Sequence, residues 1–320
     1  MKDLFSRKIN YMRISITDLC NLRCQYCMPE EGICKKDHED ILSLEEIVQI
    51  VKAGAKLGID KVRITGGEPL VRNGIVEFIK MISNIEGIND IAITTNGILL
   101  PKYAEDLKKA GLKRVNISID SLKPDKYKEI TRGGDLSKVL EGIKEAIRVG
   151  LTPVKLNVVA VGGYNDDEIG DFINLTKDMP IDVRFIELMP IGEASNWAKE
   201  KFISNDYIKN KFKELEPTTT EKSSPARYYK LPGGAGRVGF INPISNHFCE
   251  ECNRIRVTSD GKLKPCLHSN KEIDILDAVK NNPDKIEEVL RTAINIKPEK
   301  HYLYTNEEEK SNRNMFQIGG

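Results

Sequence analysis

The chain has 320 residues, 40% hydrophobic and 30% charged, enough for a sizeable core in one large domain with an extension or in two domains. Its 49 Lys and Arg nearly balance 48 Asp and Glu, so no global basic field marks a nucleic-acid partner, and an anionic ligand needs a local cluster. No apolar run approaches the ~20 residues that span a bilayer, and the N-terminus lacks the apolar core and cleavage site of a secretory signal. The expected compartment is the cytoplasm, where clustered cysteines point to metal or redox chemistry more than to disulfides.

MRISIT (12–17) is the first of six short runs rich in Val, Ile and Thr; the others are KVRITGG (61–67), DIAITTNG (90–97), RVNISID (114–120), VKLNVVAV (154–161) and VRFIELM (183–189). Between them apolar residues return every three or four positions, as in 43–58 and 135–150. Strand alternating with helix six times predicts parallel βα units and an α/β fold. Polar residues gather where the strands end: Thr17, Gly66-Gly67-Glu68, Thr94-Thr95-Asn96, Ser118 with Asp120, and Glu187 with Met189. That pattern predicts a barrel whose C-terminal rim carries the site. Beyond about residue 203 it changes: 204–215 reads as a further helix, 218–225 as a polar linker, and short strands continue through Pro265. Helical segments occupy roughly 272–294, and the tail is polar until FQIGG. The predicted division is a partial barrel over 1–224 and a smaller α+β extension over 225–320.

CNLRCQYC places Cys20, Cys24 and Cys27 directly after the first strand. Three thiolates hold three irons of a cubane cluster, whose usual complement is four, and leave the last iron open to a small molecule. A zinc knuckle completed by His38 is the alternative. The second strand ends in ITGGEPL, where glycines let the backbone approach a ligand, and the P-loop pattern is absent. A second triad, Cys249, Cys252 and Cys266, lies in FCEECNRIRVTSDGKLKPCLH. On spacing alone a zinc site closed by His268 or His247 stays open. Arg254 and Arg256 alternate directly after the cysteine pair, which puts both guanidiniums on one face of a strand. Arg13, Arg63 and Lys155 fall on predicted strands, with Arg184 a weaker fourth, and charge there needs a polar interior or a bound anion. Cys34 reads as a loop thiol and Trp197 as packing, and the four histidines make no catalytic pattern.

C-x3-C-x2-C after the first strand, followed by GGEP, resembles the radical S-adenosylmethionine superfamily. RISITDLCNLRCQYCMP, VRITGGEPLVR, ITTNG, NISIDSL, VKLNVV, RFIELMP, FCEECNRIRV, the KPCL at Cys266 and the terminal Ile-Gly-Gly narrow the resemblance to the branch that begins molybdenum cofactor biosynthesis. It implies an incomplete (β/α)6 barrel of the TIM type and a lyase. Cys20, Cys24 and Cys27 would hold one [4Fe-4S] cluster and Cys249, Cys252 and Cys266 another. S-adenosylmethionine would be met by Tyr26, Gly67, Ser118 and Met189. GTP would be met by Arg13, Arg63, Thr94, Lys155, Arg254 and Arg256. Arg13, Arg254, Arg256, Gly319 and Gly320 would take part in the chemistry: a 5′-deoxyadenosyl radical removes hydrogen from ribose C3′, and the C3′ radical attacks guanine C8. The resemblance also implies a homodimer, a low-potential electron donor and a downstream cyclic pyranopterin monophosphate synthase, with no nucleic acid or membrane partner. A peptide-modifying radical enzyme with an auxiliary cluster is the alternative. Its auxiliary domain usually spends more cysteines and does not require the Arg254/Arg256 pair.

Overall fold

The computed structural model describes residues 1–34, 36–301 and 312–319. Six parallel strands pair in chain order: β1 (Tyr11–Ser15), β2 (Lys61–Thr65), β3 (Asp90–Thr95), β4 (Arg114–Ser118), β5 (Val154–Ala160) and β6 (Ile181–Glu187). Each lies within two residues of its predicted run. Between them run α1 (Leu44–Lys56), α2 (Ile75–Ser83), α3 (Leu100–Lys109), α4 (Pro124–Ile130), α5 (Leu136–Arg148) and α6 (Ile169–Asp178). Local signals start these helices. Ser43 and Glu46 form a capping box on α1, and the Asp135 side chain caps α5.

Strand alternation divides the sheet into two faces. Met12, Ile14, Val62, Ile64, Ile91 and Ile93 are buried in one cluster with α1 and α2 residues such as Ile47, Val51, Phe78 and Ile79. Their neighbours in sequence, Arg13, Arg63 and Thr94, project to the opposite face. That face is the concave side of an incomplete barrel.

The C-terminal third contributes α7 (Asn205–Lys211), β7 (Glu216–Pro217), β8 (Ala226–Lys230), β9 (Arg237–Ile241), β10 (Arg254–Val257), β11 (Lys262–Lys264), β12 (Ile273–Asp274), α8 (Leu276–Asn281), α9 (Ile286–Asn295) and α10 (Met315–Ile318). Pro283 separates α8 from α9 inside the single range expected to be helical. β9 pairs parallel with β6, and β10 pairs parallel with β1, so the open twelve-stranded sheet runs β12-β11-β10-β1-β2-β3-β4-β5-β6-β9-β8-β7. The predicted boundary at 224/225 falls between β7 and β8, which pair with each other. Both stretches therefore share one sheet.

Candidate active site

β1 runs into the loop of Cys20, Cys24 and Cys27, which is pinned from two sides. The chain after α4 accepts Arg23 N–H at Thr131 O (3.1 Å) and Gln25 N–H at Ile130 O (2.9 Å), while the Arg132 guanidinium donates to the carbonyls of Arg23 (3.1 Å) and Met28 (2.9 Å). On the other side Gly67 N–H donates to Thr17 O at 2.8 Å. A Cβ on Gly66 would lie 2.3 Å from Thr17 O, and one on Gly67 would lie 2.4 Å from Leu19 O. The glycines thus admit the cysteine loop itself, a closer approach than the ligand contact expected of them.

The three thiols line one cavity with Tyr26, Gly67, Thr94, Ser118 and Met189. All are free of disulfides. Burial pushes Cys20 up to about 11 and Cys27 up to about 12, and burial followed by repulsion from Cys27 raises Cys24 well above the usual thiol range. Thiols so raised stay protonated at neutral pH, and holding all three as thiolates would take a multivalent cationic partner. Two acids of the rim complete this half. Tyr26 O–H donates to Asp120 Oδ2 at 2.6 Å, and burial lifts Asp120 to about 6. Fully buried Glu68 accepts from Leu70 N–H (3.0 Å), Thr95 O–H (2.8 Å) and Asn96 N–H (2.6 Å), and burial lifts it to about 7. Asn96 then donates to Asn21 Oδ1 (2.7 Å), inside the cysteine loop. Both acids are visible in the sequence at strand ends, but no role was assigned to them there.

Cys249 and Cys252 precede β10, Cys266 follows β11, and all three line a second cavity. Arg13 stands in register with Arg63 on β2 and with Arg256 on β10, so three guanidiniums form a row across adjacent strands. Arg254 joins them opposite Tyr11. Burial lowers all three of the row. Arg13 falls well below its usual value with added repulsion from Arg256 and Arg63, while Arg63 and Arg256 each come down to about 10. Arg184 donates to Asn116 and Asn157. The Nε atoms of Arg63 and Arg184 and the hydroxyl of Thr94 are buried without a hydrogen-bond partner among the described residues. Cations crowded in this way call for an anion. The two cavities share Asn157, Ile186 and Met189 in their linings and so adjoin one another.

Lys155 lines neither cavity. Its ammonium stands 3.4 Å from the Tyr228 hydroxyl and 3.8 Å from Asp182, and burial followed by repulsion from Arg184 brings it down to about 7. The histidines gain a pattern that sequence separation conceals: His247 and His268 flank His301 at ring distances of 5.2 and 4.5 Å, beside the second triad. Lys297, also passed over in the sequence, donates to Arg254 O (2.9 Å) and Pro265 O (2.7 Å) and so clasps the segments bearing Cys252 and Cys266. Burial disfavours the Cys252 thiolate, but Lys297 and Arg254 outweigh it and bring the thiol down to about 6. Among the described residues no group of three or more His, Cys, Asp or Glu converges as a single-ion site. Each triad lines its own cavity.

Residues 312–319 of the tail pack against the sheet and the first cavity. Asn314 and Gln317 form a capping box on α10, and Met315 and Phe316 line the first cavity. Arg256 Nη1 donates to Ile318 O (3.1 Å) and Gly319 O (2.8 Å), so this expected substrate contact holds the tail. Gly319 has φ 65°, and a Cβ there would lie 2.2 Å from Thr65 Cγ2. Gly320 lies outside the described residues.

Residues 14–176 match the radical SAM superfamily, and residues 181–303 match the molybdenum cofactor synthesis C-terminal family. The chain is 79% identical over its full length and that of the relative to GTP 3′,8-cyclase of Alkaliphilus oremlandii, and 72% identical, again with both chains fully covered, to that of Alkaliphilus metalliredigens. A Clostridium botulinum GTP 3′,8-cyclase is 52% identical with both chains fully covered. In fold, the chain is similar to Streptococcus suis SuiB, with TM-score 0.61 at 14% identity over 88% of this chain and 66% of that one. The same SuiB bound to S-adenosylmethionine gives 0.59 at 15% identity over 89% and 68%. Cysteine triads, glycine turn and arginine row together agree with these matches: the chain belongs to the GTP 3′,8-cyclase family of the radical S-adenosylmethionine superfamily.

Proposed function

We propose that this chain converts GTP to (8S)-3′,8-cyclo-7,8-dihydroguanosine 5′-triphosphate, the first step of molybdenum cofactor biosynthesis. The observation that carries the reading is the row Arg256–Arg13–Arg63, set in register across three strands and lining the cavity of one cysteine triad, which adjoins the cavity of the other. Cys20, Cys24 and Cys27 hold one [4Fe-4S] cluster, and Cys249, Cys252 and Cys266 hold the second. When bound, the first cluster and S-adenosylmethionine would supply a 5′-deoxyadenosyl radical that takes hydrogen from ribose C3′; the C3′ radical adds to guanine C8, and the resulting nucleotide radical takes up one electron and one proton to give the product. Tyr26, Gly67, Ser118 and Met189 seat S-adenosylmethionine, and Asp120 fixes the Tyr26 ring through its hydroxyl.

Arg13, Arg63, Thr94 and Arg254 receive the triphosphate and ribose, and the unpartnered Arg63 Nε and Thr94 hydroxyl are donors held for it. Lys155 adds charge from below the row, and Arg256 acts through the tail carbonyls it holds, with Gly319 and Gly320 at the tail's end. The protein's contribution is positioning and charge. Residues 1–224 carry the first cluster and residues 225–320 the second. The enzyme works in the cytoplasm as a homodimer, takes electrons from a low-potential donor and passes its product to a cyclic pyranopterin monophosphate synthase.

Separate loss of each triad tests the reading. Cys24→Ala should abolish 5′-deoxyadenosine formation, whereas Cys252→Ala should retain some while losing cyclisation. Wild-type cyclisation by Cys252→Ala would reduce the second triad to a dispensable element.

A further inference from the structure

The described tail enters the site through Arg313, whose guanidinium grips two carboxylates. Nε and Nη2 donate to the two oxygens of Glu272 at 2.7 and 2.8 Å, and Nη1 donates to those of Asp260 at 3.0 and 2.9 Å. Neither acid belongs to the tail. Asp260 sits in the turn between β10 and β11, where the Thr258 hydroxyl donates to it, and Glu272 precedes β12 and accepts Lys264 Nζ at 3.0 Å. Asp260 also faces Lys36, whose Nζ lies 3.0 Å from it and 3.0 Å from Asp18. Asp18 stands just before Cys20 and accepts the Ser259 hydroxyl. Charges of alternating sign, Asp18, Lys36, Asp260, Arg313 and Glu272, therefore link the loop of the first triad, the hairpin leading to Cys266, and the tail.

Several described residues after Arg313 touch the site. Gly192 approaches so closely that a Cβ there would lie 2.2 Å from Asn314 Oδ1. Phe316 N–H meets the Cys27 sulfur, and Arg256 takes the carbonyls of Ile318 and Gly319. The side chains of Arg313, Asp260 and Glu272 are 15–20% exposed, so these pairs are partly desolvated yet still within reach of salt.

We propose that Arg313 is a positioning residue, an ionic latch onto Asp260 and Glu272 that holds residues 312–319 against the first cavity and couples their placement to the cysteine loop through Lys36 and Asp18. Its effect on turnover rests on the proposed function. The latch itself is read without turnover, from the protection of Phe316, which is 4% exposed.

Anaerobically reconstituted wild type, Arg313→Ala, Arg313→Lys and Glu272→Gln should be digested briefly with chymotrypsin, and release of the segment after Phe316 followed by mass spectrometry. Release should quicken by roughly tenfold in Arg313→Ala and Glu272→Gln and less in Arg313→Lys, as expected when local opening governs cleavage. Salt should speed release from wild type and leave Arg313→Ala unmoved. With S-adenosylmethionine and GTP, Arg313→Ala should form more 5′-deoxyadenosine per cyclised nucleotide than wild type. Wild-type release rates in the folded variants would overturn the latch, and if Arg313→Ala fails to fold by circular dichroism, Glu272→Gln decides. A wild type that makes no cyclised nucleotide would instead overturn the proposed function and leave the protease result standing.

Discussion

Lys155 lies buried among Arg184, Arg114 and Arg63, with Asp182 only partly offsetting them, and titrates at about 7 in the native chain against 10.5 ordinarily. Between those values the unfolded chain holds a proton that the native chain lacks, so this group makes stability rise with pH across that window. On the proposed function, a triphosphate held by the neighbouring arginines would reverse the local preference. GTP binding above pH ~7 should then take up a proton at Lys155, and affinity should fall with rising pH by at most about tenfold per unit. Calorimetry in buffers of different ionisation enthalpy measures the uptake, and Lys155→Met should abolish it; equal heats in every buffer for the wild type would contradict it. Arg63 makes a different prediction, because its Nε is buried without a partner. Arg63→Ala should weaken GTP by ~1.5–3 kcal/mol, roughly ten- to hundredfold, and leave guanosine nearly unchanged. Equal losses for both ligands would mean that Arg63 acts through folding.

The Gly66-Gly67 turn shows how one element sets another's geometry. A Cβ at Gly67 meets two carbonyl oxygens of the cysteine loop, at 2.4 Å from Leu19 and 2.6 Å from Asp18, and backbone yields little. Gly67→Ala should therefore cost first-cluster iron selectively, halving the iron per chain while the second cluster remains; full iron with an unchanged melting temperature would refute this. That Cys20, Cys24 and Cys27 share one cavity was legible in the sequence because they crowd into eight residues, whereas Cys266 reaches Cys249 and Cys252 only through the β10–β11 hairpin. The strand arginines were legible because period-two alternation sets them among Ile and Val. Their mutual register was not, since the pairing of Arg13 with Arg256 depends on β10 returning to β1 from the far end of the chain. The same long-range return hid the histidine cluster and Lys297. Asp120 and Glu68 were in view, yet their roles depend on contacts across strands that no local pattern encodes.

At the scale of the molecule, the C-terminal third closes both edges of the six-stranded core and brings the second cavity against the first. The change of pattern near residue 203 marked where the repeating βα units stop, but it gave no sign that later strands would join the same sheet on both sides. That arrangement puts the arginine row in the cavity of the second triad, beside that of the first, the placement the proposed function needs for one substrate to face both. Transfer of deuterium from GTP labelled at C3′, using reconstituted protein with dithionite and S-adenosylmethionine, tests this juxtaposition most directly. The label should appear in 5′-deoxyadenosine as the cyclised nucleotide accumulates. Formation of 5′-deoxyadenosine without label, and with no cyclised nucleotide, would contradict it.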